Sequence, residues 1–487
     1  MSLGKVAARG AGTVMAGQLA RVILQVASVA ILTRLIDPTD YGLFTAGMLL
    51  VGFGEVFRDF GLSTAAIQAK SLTNAQRDTL FWMNVALGAT FSAAMALLAP
   101  LAAWWFGAPE LTNLARLLGL VFLLNGAVAQ YRASLNRTLR FNALVLSDLG
   151  ANLVGVVVAV SMAATGWSYW SLVGQSLAGG VALLLLTGLQ AGWLPGLPRR
   201  GTGVRSMVRY GAALVASQLV SYLNNNFDNM VIGTRMGLEP LGLYSRAYQL
   251  LMRTVNQFRV PTTTVALPVL SRLEGQDRND AFVLAGQKAL GYAIVPLIAV
   301  AGACAVPIVA IFTGPKFQAI ATPFAILAIA SAFQTVAYVG YWVYLARGLT
   351  KHLLTYSLIG LAGRALGILI GSNWGIVGVA IGFAVSEALL WPISIWWLSR
   401  YTPMPVRSLY AGAFRVLGVA AVAGGAGYLA VSAGVGLPSI VQLIIGVAVV
   451  AAGYLAAAIV PAFRRDYQEM YSFARLALPN RSQGGER

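Results

Sequence analysis

One cysteine and one histidine stand among 487 residues, and only 10% of the residues are charged. A lone thiol, Cys304, cannot form an internal disulfide, and in an apolar stretch it reads as an inert packing residue. With His352 as the sole imidazole, an HExxH zinc motif is impossible, and GxxxxGK[ST], GxSxG and Cys/His clusters are also missing. ATP hydrolysis and zinc or serine-nucleophile hydrolysis are excluded. The chain reads as a non-enzyme that needs no cofactor and no metal, and His352, at the start of a helix, reads as an exposed residue.

What is present is apolar. Hydrophobic residues make up 58% of the chain, too many to hide in ordinary globular cores, so this is an all-α membrane protein. Nearly uncharged runs of about 20 residues lie near 11–33, 40–63, 79–106, 111–131, 141–164 and 168–190. After a polar break at 191–207, others follow near 208–234, 241–263, 283–312, 318–345, 352–371 and 375–398, and two more near 409–432 and 438–461. About fourteen transmembrane helices are expected. The first run follows Lys5 and Arg9 as a signal peptide would, but it is too long for one and has no small-residue cleavage site, so it reads as a retained helix.

Acids are scarce as well: 16 Asp and Glu face 34 Lys and Arg, a net charge of +18. Such an excess suggests nucleic acid until its position is considered. With fourteen spans, the termini and the even-numbered connections share one side, and that side carries Lys5, Arg9, Lys70, Arg77, Arg132, Arg137 and Arg140 in the first third alone. The other side has only Arg34, Arg235 and Lys316 at its helix ends. This is the positive-inside asymmetry, which places both termini in the cytoplasm and leaves no need for a nucleic-acid partner. Every extracytoplasmic connection is short, so no soluble catalytic domain is expected outside either.

Internal repetition gives the organisation. The Thr-Arg pairs of TRLIDPTDYGLF (33–44) and TRMGLEPLGLY (234–244) align at an offset of 201, Gly42-Leu43 aligns with Gly242-Leu243 at 200, and Gln18-Leu19 with Gln218-Leu219 again at 200. The first and seventh spans are then equivalent, and each half has six spans entering the membrane in the same direction. The expected domains are an N-terminal lobe at 1–190, a cytoplasmic linker at 191–207, a second six-helix lobe at 208–400, two added helices at 401–461 and a basic cytoplasmic tail at 462–487. In transporters built from such halves the substrate site lies between them.

Polar residues at membrane depth mark where that site should be. SYLNNNFDNM (221–230) puts four Asn and one Asp into six consecutive positions. At 100° per residue, Ser217, Ser221, Asn224, Asn225 and Asp228 form one stripe opposite Leu219, Leu223, Phe227 and Val231, which predicts a wet wall or a polar seam between helices. Gln18, Arg21, Gln25 and Ser28 repeat the pattern in the first span, and Arg246, Gln249, Arg253 and Gln257 do so in the eighth. An inward Arg cannot lose its proton and needs a fixed acid or an anionic ligand. Glu55 and Asp59, i,i+4 neighbours beside Arg58, offer either an internal ion pair or a coupling-ion site. Asp148, Arg116, Arg364 and Glu387 are expected to be structural pairs. Among 53 Gly and several Pro in the spans, close packing and bending are allowed.

TRLIDPTDYGLF, the stretch EVFRDFGLSTAAIQ at 55–68, YLNNNFDNMVIG at 222–233 and FTGPKF at 312–317 together resemble the Wzx-type polysaccharide repeat-unit flippases, most closely the colanic-acid type. These belong to the MOP superfamily with the MATE exporters and the lipid II flippases. The resemblance covers most of the chain. It implies translocation of a polyprenyl-diphosphate-linked oligosaccharide from the inner to the outer leaflet of a bacterial inner membrane for exopolysaccharide or lipopolysaccharide assembly. It also implies rocking of two lobes, coupling to a proton or sodium gradient through Asp59, sugar contact through Asn224, Asn225 and Asp228, work as a monomer, and polymerase and export machinery as partners. Arg253 matches no family motif and rests on helical spacing alone. Arg21, Gln25, Arg246 and Arg253 suit a diphosphate head group and sugar hydroxyls by their chemistry. A lipid II-type flippase shares the cationic cavity, whereas a MATE-like drug exporter would favour an acid-dominated one.

Overall fold

The computed structural model describes residues 3–58, 73–198, 205–273 and 276–477. Within them the chain is nearly all helix, because in lipid a helix alone satisfies every backbone polar group within one segment. Nine stretches of the described residues are long and apolar enough to cross a membrane. Their ends mostly agree with the hydropathy reading to within a few residues.

The chain forms two compact units, residues 1–245 with 312–317, and residues 246–311 with 318–487. The first unit contains α1 (Leu3–Leu35), α2 (Pro38–Arg58), α3 (Asn74–Phe106), α4 (Leu111–Leu118), α5 (Leu120–Arg137), α6 (Phe141–Ala164), α7 (Trp170–Ala191), α8 (Arg205–Arg235) and most of α9 (Leu238–Tyr248). Thr73 starts α3 with a capping box: its hydroxyl accepts from the Gln76 backbone at 3.2 Å while the Gln76 side chain accepts from the Thr73 N–H at 3.0 Å. Gly107 ends it with φ at 63°, a left-handed cap that glycine adopts without strain. Leu80, Leu111, Leu114, Leu118 and Phe122 are fully buried and form the core.

Residues 312–317 join this unit for two local reasons. Lys316 pairs with Asp37 at 2.7 Å, and the buried Phe317 ring meets the buried Tyr41 ring edge-on at 5.6 Å. Two of the segments that carry the family resemblance, around Asp37 and FTGPKF, are thus a contact pair.

Residues about 200 positions apart also touch. A Cβ added to Gly42 would lie 1.8 Å from the carbonyl oxygen of Leu238, and one added to Gly242 would lie 1.8 Å from that of Pro38. Thr45 and Ser245, again separated by 200 positions, have their hydroxyl oxygens 3.2 Å apart. The starts of α2 and α9 therefore cross backbone to backbone, which only glycine at both positions permits.

The second unit continues from α9 through a π-helical segment (Gln249–Arg253), α10 (Thr254–Arg259) and α11 (Pro261–Arg272). It goes on with α12 (Gln276–Ala303), α13 (Ala305–Thr313), α14 (Ala321–Ala346), α15 (Thr350–Gly371), α16 (Gly375–Ser399), α17 (Val406–Ala433), α18 (Ser439–Ala457) and α19 (Pro461–Ala477). Cys304, fully buried, packs with Ala303, Ala423, Val431 and Val450, as expected of an inert thiol.

The last helix is docked on this unit by charge. On α19, Phe463, Asp466, Tyr467 and Met470 share one face at 100° per residue, and Arg464, Arg465 and Gln468 the other. Asp466 thus sits on the apolar face and is only 2% exposed. It accepts from Arg415 Nε and from Lys288 Nζ, both at 2.7 Å, and from the Tyr292 hydroxyl at 3.2 Å. Burial by itself would raise the Asp466 pKa, but the Arg415 and Lys288 hydrogen bonds outweigh it and hold the carboxyl below its usual range. A lowered folded-state pKa means that this contribution is present above the unfolded value of about 3.9 and is lost as pH falls below it. Asp466→Asn is expected to cost about 2–3 kcal/mol locally by leaving the buried Lys288 and the half-buried Arg415 without their carboxylate, the partial exposure of Arg415 lowering the cost below that of a fully buried pair. Limited proteolysis should then cut within α19 sooner than in the wild type, and unchanged protection would show that the apolar contacts suffice.

Candidate functional site

Each unit carries its own set of polar groups at membrane depth. In the first unit Arg21 from α1 donates to Asp148 on α6 at 2.7 Å, and Arg132 from α5 donates to both oxygens of the same carboxylate. The two guanidinium side chains remain 37% and 35% exposed, so one acid holds two accessible cations and the cluster keeps a net positive charge. Asp148 was expected to find a structural partner and has two. Arg132 was counted only as a cytoplasmic charge in the sequence. What brings it to Asp148 is the packing of α5 against α6, which spacing along one helix does not reveal.

On α2, Glu55 accepts from Arg58 at 2.7 Å and from Asn125 on α5 at 2.8 Å. Both its oxygens are engaged, which is the internal-pair arrangement. Asp59 lies outside the described residues.

The α8 stripe is graded along its length. Ser217, Ser221 and Asn225 are exposed, Asn224 and Asn226 are half-buried, and Asp228 and Asn229 are buried. Asn224 and Asn226 each donate to a backbone carbonyl one turn earlier, those of Val220 and Tyr222. Asp228 accepts from the Asn229 N–H at 2.8 Å and lies beside the Tyr244 hydroxyl. An exposed polar surface therefore runs along the middle of α8 and ends in a buried carboxylate. The wheel identified the stripe but not this gradient, since burial depends on the α2 residues that pack on α8, where the Tyr222 hydroxyl donates to the Leu49 carbonyl. Gln25 is half-buried on α1.

In the second unit Arg246 is 8% exposed and donates to Gln249 at 2.5 Å, whereas Arg253 is exposed. A shared face for these two assumed continuous α-helix. The π segment Gln249–Arg253 intervenes, and because each π residue advances by less than the α-helical 100°, Arg253 is carried off the face of Arg246. Such π insertions cluster at functional sites. Further along, Arg259 is buried, with Nη2 donating to Asn256 at 2.5 Å and to Gln334 at 3.2 Å, and its guanidinium 5.0 Å from the Tyr338 ring centroid. Helical spacing does not mark Arg259, although an Arg inside the 241–263 run is itself a signal. Arg364 and Glu387 pair at 2.5 Å, as expected. No group of three or more potential metal ligands occurs among the described residues.

These arrangements share one chemistry: cations and amide or hydroxyl groups outnumber free acids, a set suited to oxyanions and sugar hydroxyls. Residues 31–322 match a family described as "Polysaccharide biosynthesis protein". The lipopolysaccharide biosynthesis protein WzxC of Escherichia coli (strain K12) is 27% identical over 257 residues, 52% of this chain and 51% of that protein. The teichuronic acid biosynthesis protein TuaB of Bacillus subtilis (strain 168) is 27% identical over 255 residues, 51% of this chain and 52% of that one. The chain thus spans about half the length of the curated relatives it matches. Among solved structures, a lipid II flippase MurJ in an inward closed conformation superposes with a TM-score of 0.73 at 14% identity, covering 93% of this chain and 99% of that one. At that identity the likeness is one of fold.

Proposed function

We propose, from the premise that this chain belongs to the polysaccharide biosynthesis protein family, that it translocates polyprenyl-diphosphate-linked oligosaccharide repeat units across the bacterial inner membrane. The observation that carries this reading is the α8 stripe, where Ser217, Ser221 and Asn225 stay exposed in the middle of a membrane-depth helix. An Asn facing lipid is costly, so an exposed stripe of this kind faces water or a polar cargo. Asn224, Asn225 and Asp228 are assigned to the sugar, and Arg21, Gln25, Arg246 and Arg253 to the charged end and its surroundings. Glu55 and Asp59 are the candidates for coupling to a proton or sodium gradient.

The finer architecture in this proposal is about fourteen spans with both termini cytoplasmic, two six-helix lobes at 1–190 and 208–400, and two added helices at 401–461. Contacts between residues exactly one repeat apart support it. Gly42 meets the turn that bears Gly242, and Thr45 meets Ser245, as expected where a pseudo-twofold axis along the membrane normal passes between the halves. Transport then proceeds by alternating access, α2 and α9 parting at this crossing.

The test is export of the native repeat unit in cells that lack this gene. Wild type should restore it, and Asn225→Ala should reduce it about tenfold at unchanged protein level, the loss expected when a cargo hydroxyl loses its amide partner. Asn226→Ala should reduce it less, since Asn226 lies about 100° away and bonds its own helix. Equal losses at both positions would remove the stripe from the site. Rescue of a strain deprived of its lipid II flippase, with none of polysaccharide export, would move the cargo to the peptidoglycan precursor.

A further inference from the structure

Arg259 is a cation in a place where a cation needs an explanation. It stands inside the apolar 241–263 run, where an unpaired charge is costly. It is 8% exposed, so it does not reach an interface by extending along the helix. Among the described residues no carboxylate is in ion-pair contact with it, and the nearby acid of α16, Glu387, is already taken by Arg364 at 2.5 Å. Its Nη2 is fully used by the Asn256 and Gln334 carbonyl oxygens, while Nε and Nη1 are buried without hydrogen-bond partners. Three N–H donors are left pointing at no protein acceptor.

A buried guanidinium that stays charged is stable only beside an anion, and this one is held ready for it. Asn256, Gln334 and the Tyr338 face fix its plane, and the Tyr338 hydroxyl is itself tied to Thr263 at 3.1 Å. The backbone that carries it is interrupted on both sides, by the π segment Gln249–Arg253 and by Pro261, as in discontinuous helices that line substrate sites. We infer that Arg259, braced by Asn256, Gln334 and Tyr338, forms an oxyanion subsite inside the second unit that takes phosphate or carboxylate oxygens of the cargo. This deepens the flippase reading and rests on it for the identity of the cargo. Arg246 and Arg253 differ from it: the first is engaged with Gln249 and the second is exposed.

The purified protein in lipid nanodiscs is titrated with undecaprenyl diphosphate and with undecaprenol, each with and without inorganic pyrophosphate or glucuronate as competitor. Wild type should prefer the diphosphate lipid, and Arg259→Gln should lower that preference at least about tenfold, the usual weight of a charge-assisted hydrogen bond. Competition by pyrophosphate alone assigns the subsite to the diphosphate, and competition by glucuronate alone assigns it to an acidic sugar. If Arg259→Gln keeps wild-type preference and wild-type competition, the inference is overturned. Should that variant fail to assemble, Arg259→Lys keeps the charge without the planar fork and should still lose about threefold. Wild-type affinity in the Lys variant would then make Arg259 a folding residue only and overturn the subsite. A wild type that binds pyrophosphate or glucuronate through Arg259 but shows no preference between the two lipids would sink the cargo reading and leave the subsite standing.

Discussion

A disulfide between Thr45→Cys and Ser245→Cys is expected to stop export completely, and reduction is expected to restore it. The two hydroxyl oxygens are 3.2 Å apart, so sulfurs in their places need close only about 1 Å to reach a bond length of about 2.05 Å. The single native thiol, Cys304, is buried and does not compete. At this crossing the helices have no slack, since any Cβ on Gly42 or Gly242 would fall 1.8 Å from a backbone oxygen. A covalent tie there holds the start of α2 against the start of α9, and if transport requires the two to part, one bond suffices to prevent it. The measurement is export in cells before oxidation, after oxidation and after reduction, with the fraction crosslinked read on a gel. Full export by crosslinked protein would show that this crossing stays shut throughout the cycle, and the rocking of halves about it would be wrong.

The second large effect is expected at Asp148. Its carboxylate holds Arg21 at 2.7 Å and Arg132 by both oxygens, and it is 15% exposed. Asp148→Asn leaves two guanidinium groups facing one neutral amide. Removing one member of a fully buried pair costs about 3–5 kcal/mol, and partial exposure of both arginines reduces this to about 2–3 kcal/mol. A clear fall in melting temperature and in membrane-assembled protein should follow. Adding Arg21→Gln to the same chain should recover part of the loss, because it removes one of the repelling charges, and such non-additivity is the mark of direct coupling. The cycle also separates two roles for Arg21. If Arg21→Gln alone lowers export only as far as it lowers protein level, Arg21 serves Asp148; if export falls with the protein level intact, Arg21 also meets the cargo. Additive melting shifts for the pair would show that the contact carries no stability.

Much of the membrane topology needs no structure. Hydropathy marks the apolar helices because a bilayer admits no other way to bury so many apolar residues with their backbone, and length follows from its thickness. The same rule fails where a run is not one uniform helix. The eighth run was read as a continuous span over 241–263, whereas the chain passes through a π segment and a proline start and stays helical to Arg272. Periodicity assumes 100° per residue, so the shared face of Arg246 and Arg253 disappears once five residues turn less.

By itself the sequence determined the class of molecule and the inventory of its chemistry. Few charges, long apolar runs, a missing catalytic set and short sequence matches at an offset near 200 positions are all one-dimensional properties, as is the helical stripe of SYLNNNFDNM. Tertiary structure alone decided which polar groups are satisfied. Asp148 is shared by arginines 127 and 16 positions away, Glu55 meets Asn125 from 70 positions away, and Asp466 closes the chain onto Lys288 and Arg415. Arg259 is left with donors unmet. The reason is physical: the cost of a charge at membrane depth is set by what stands within about 4 Å of it in space, and helices remote in sequence supply those neighbours.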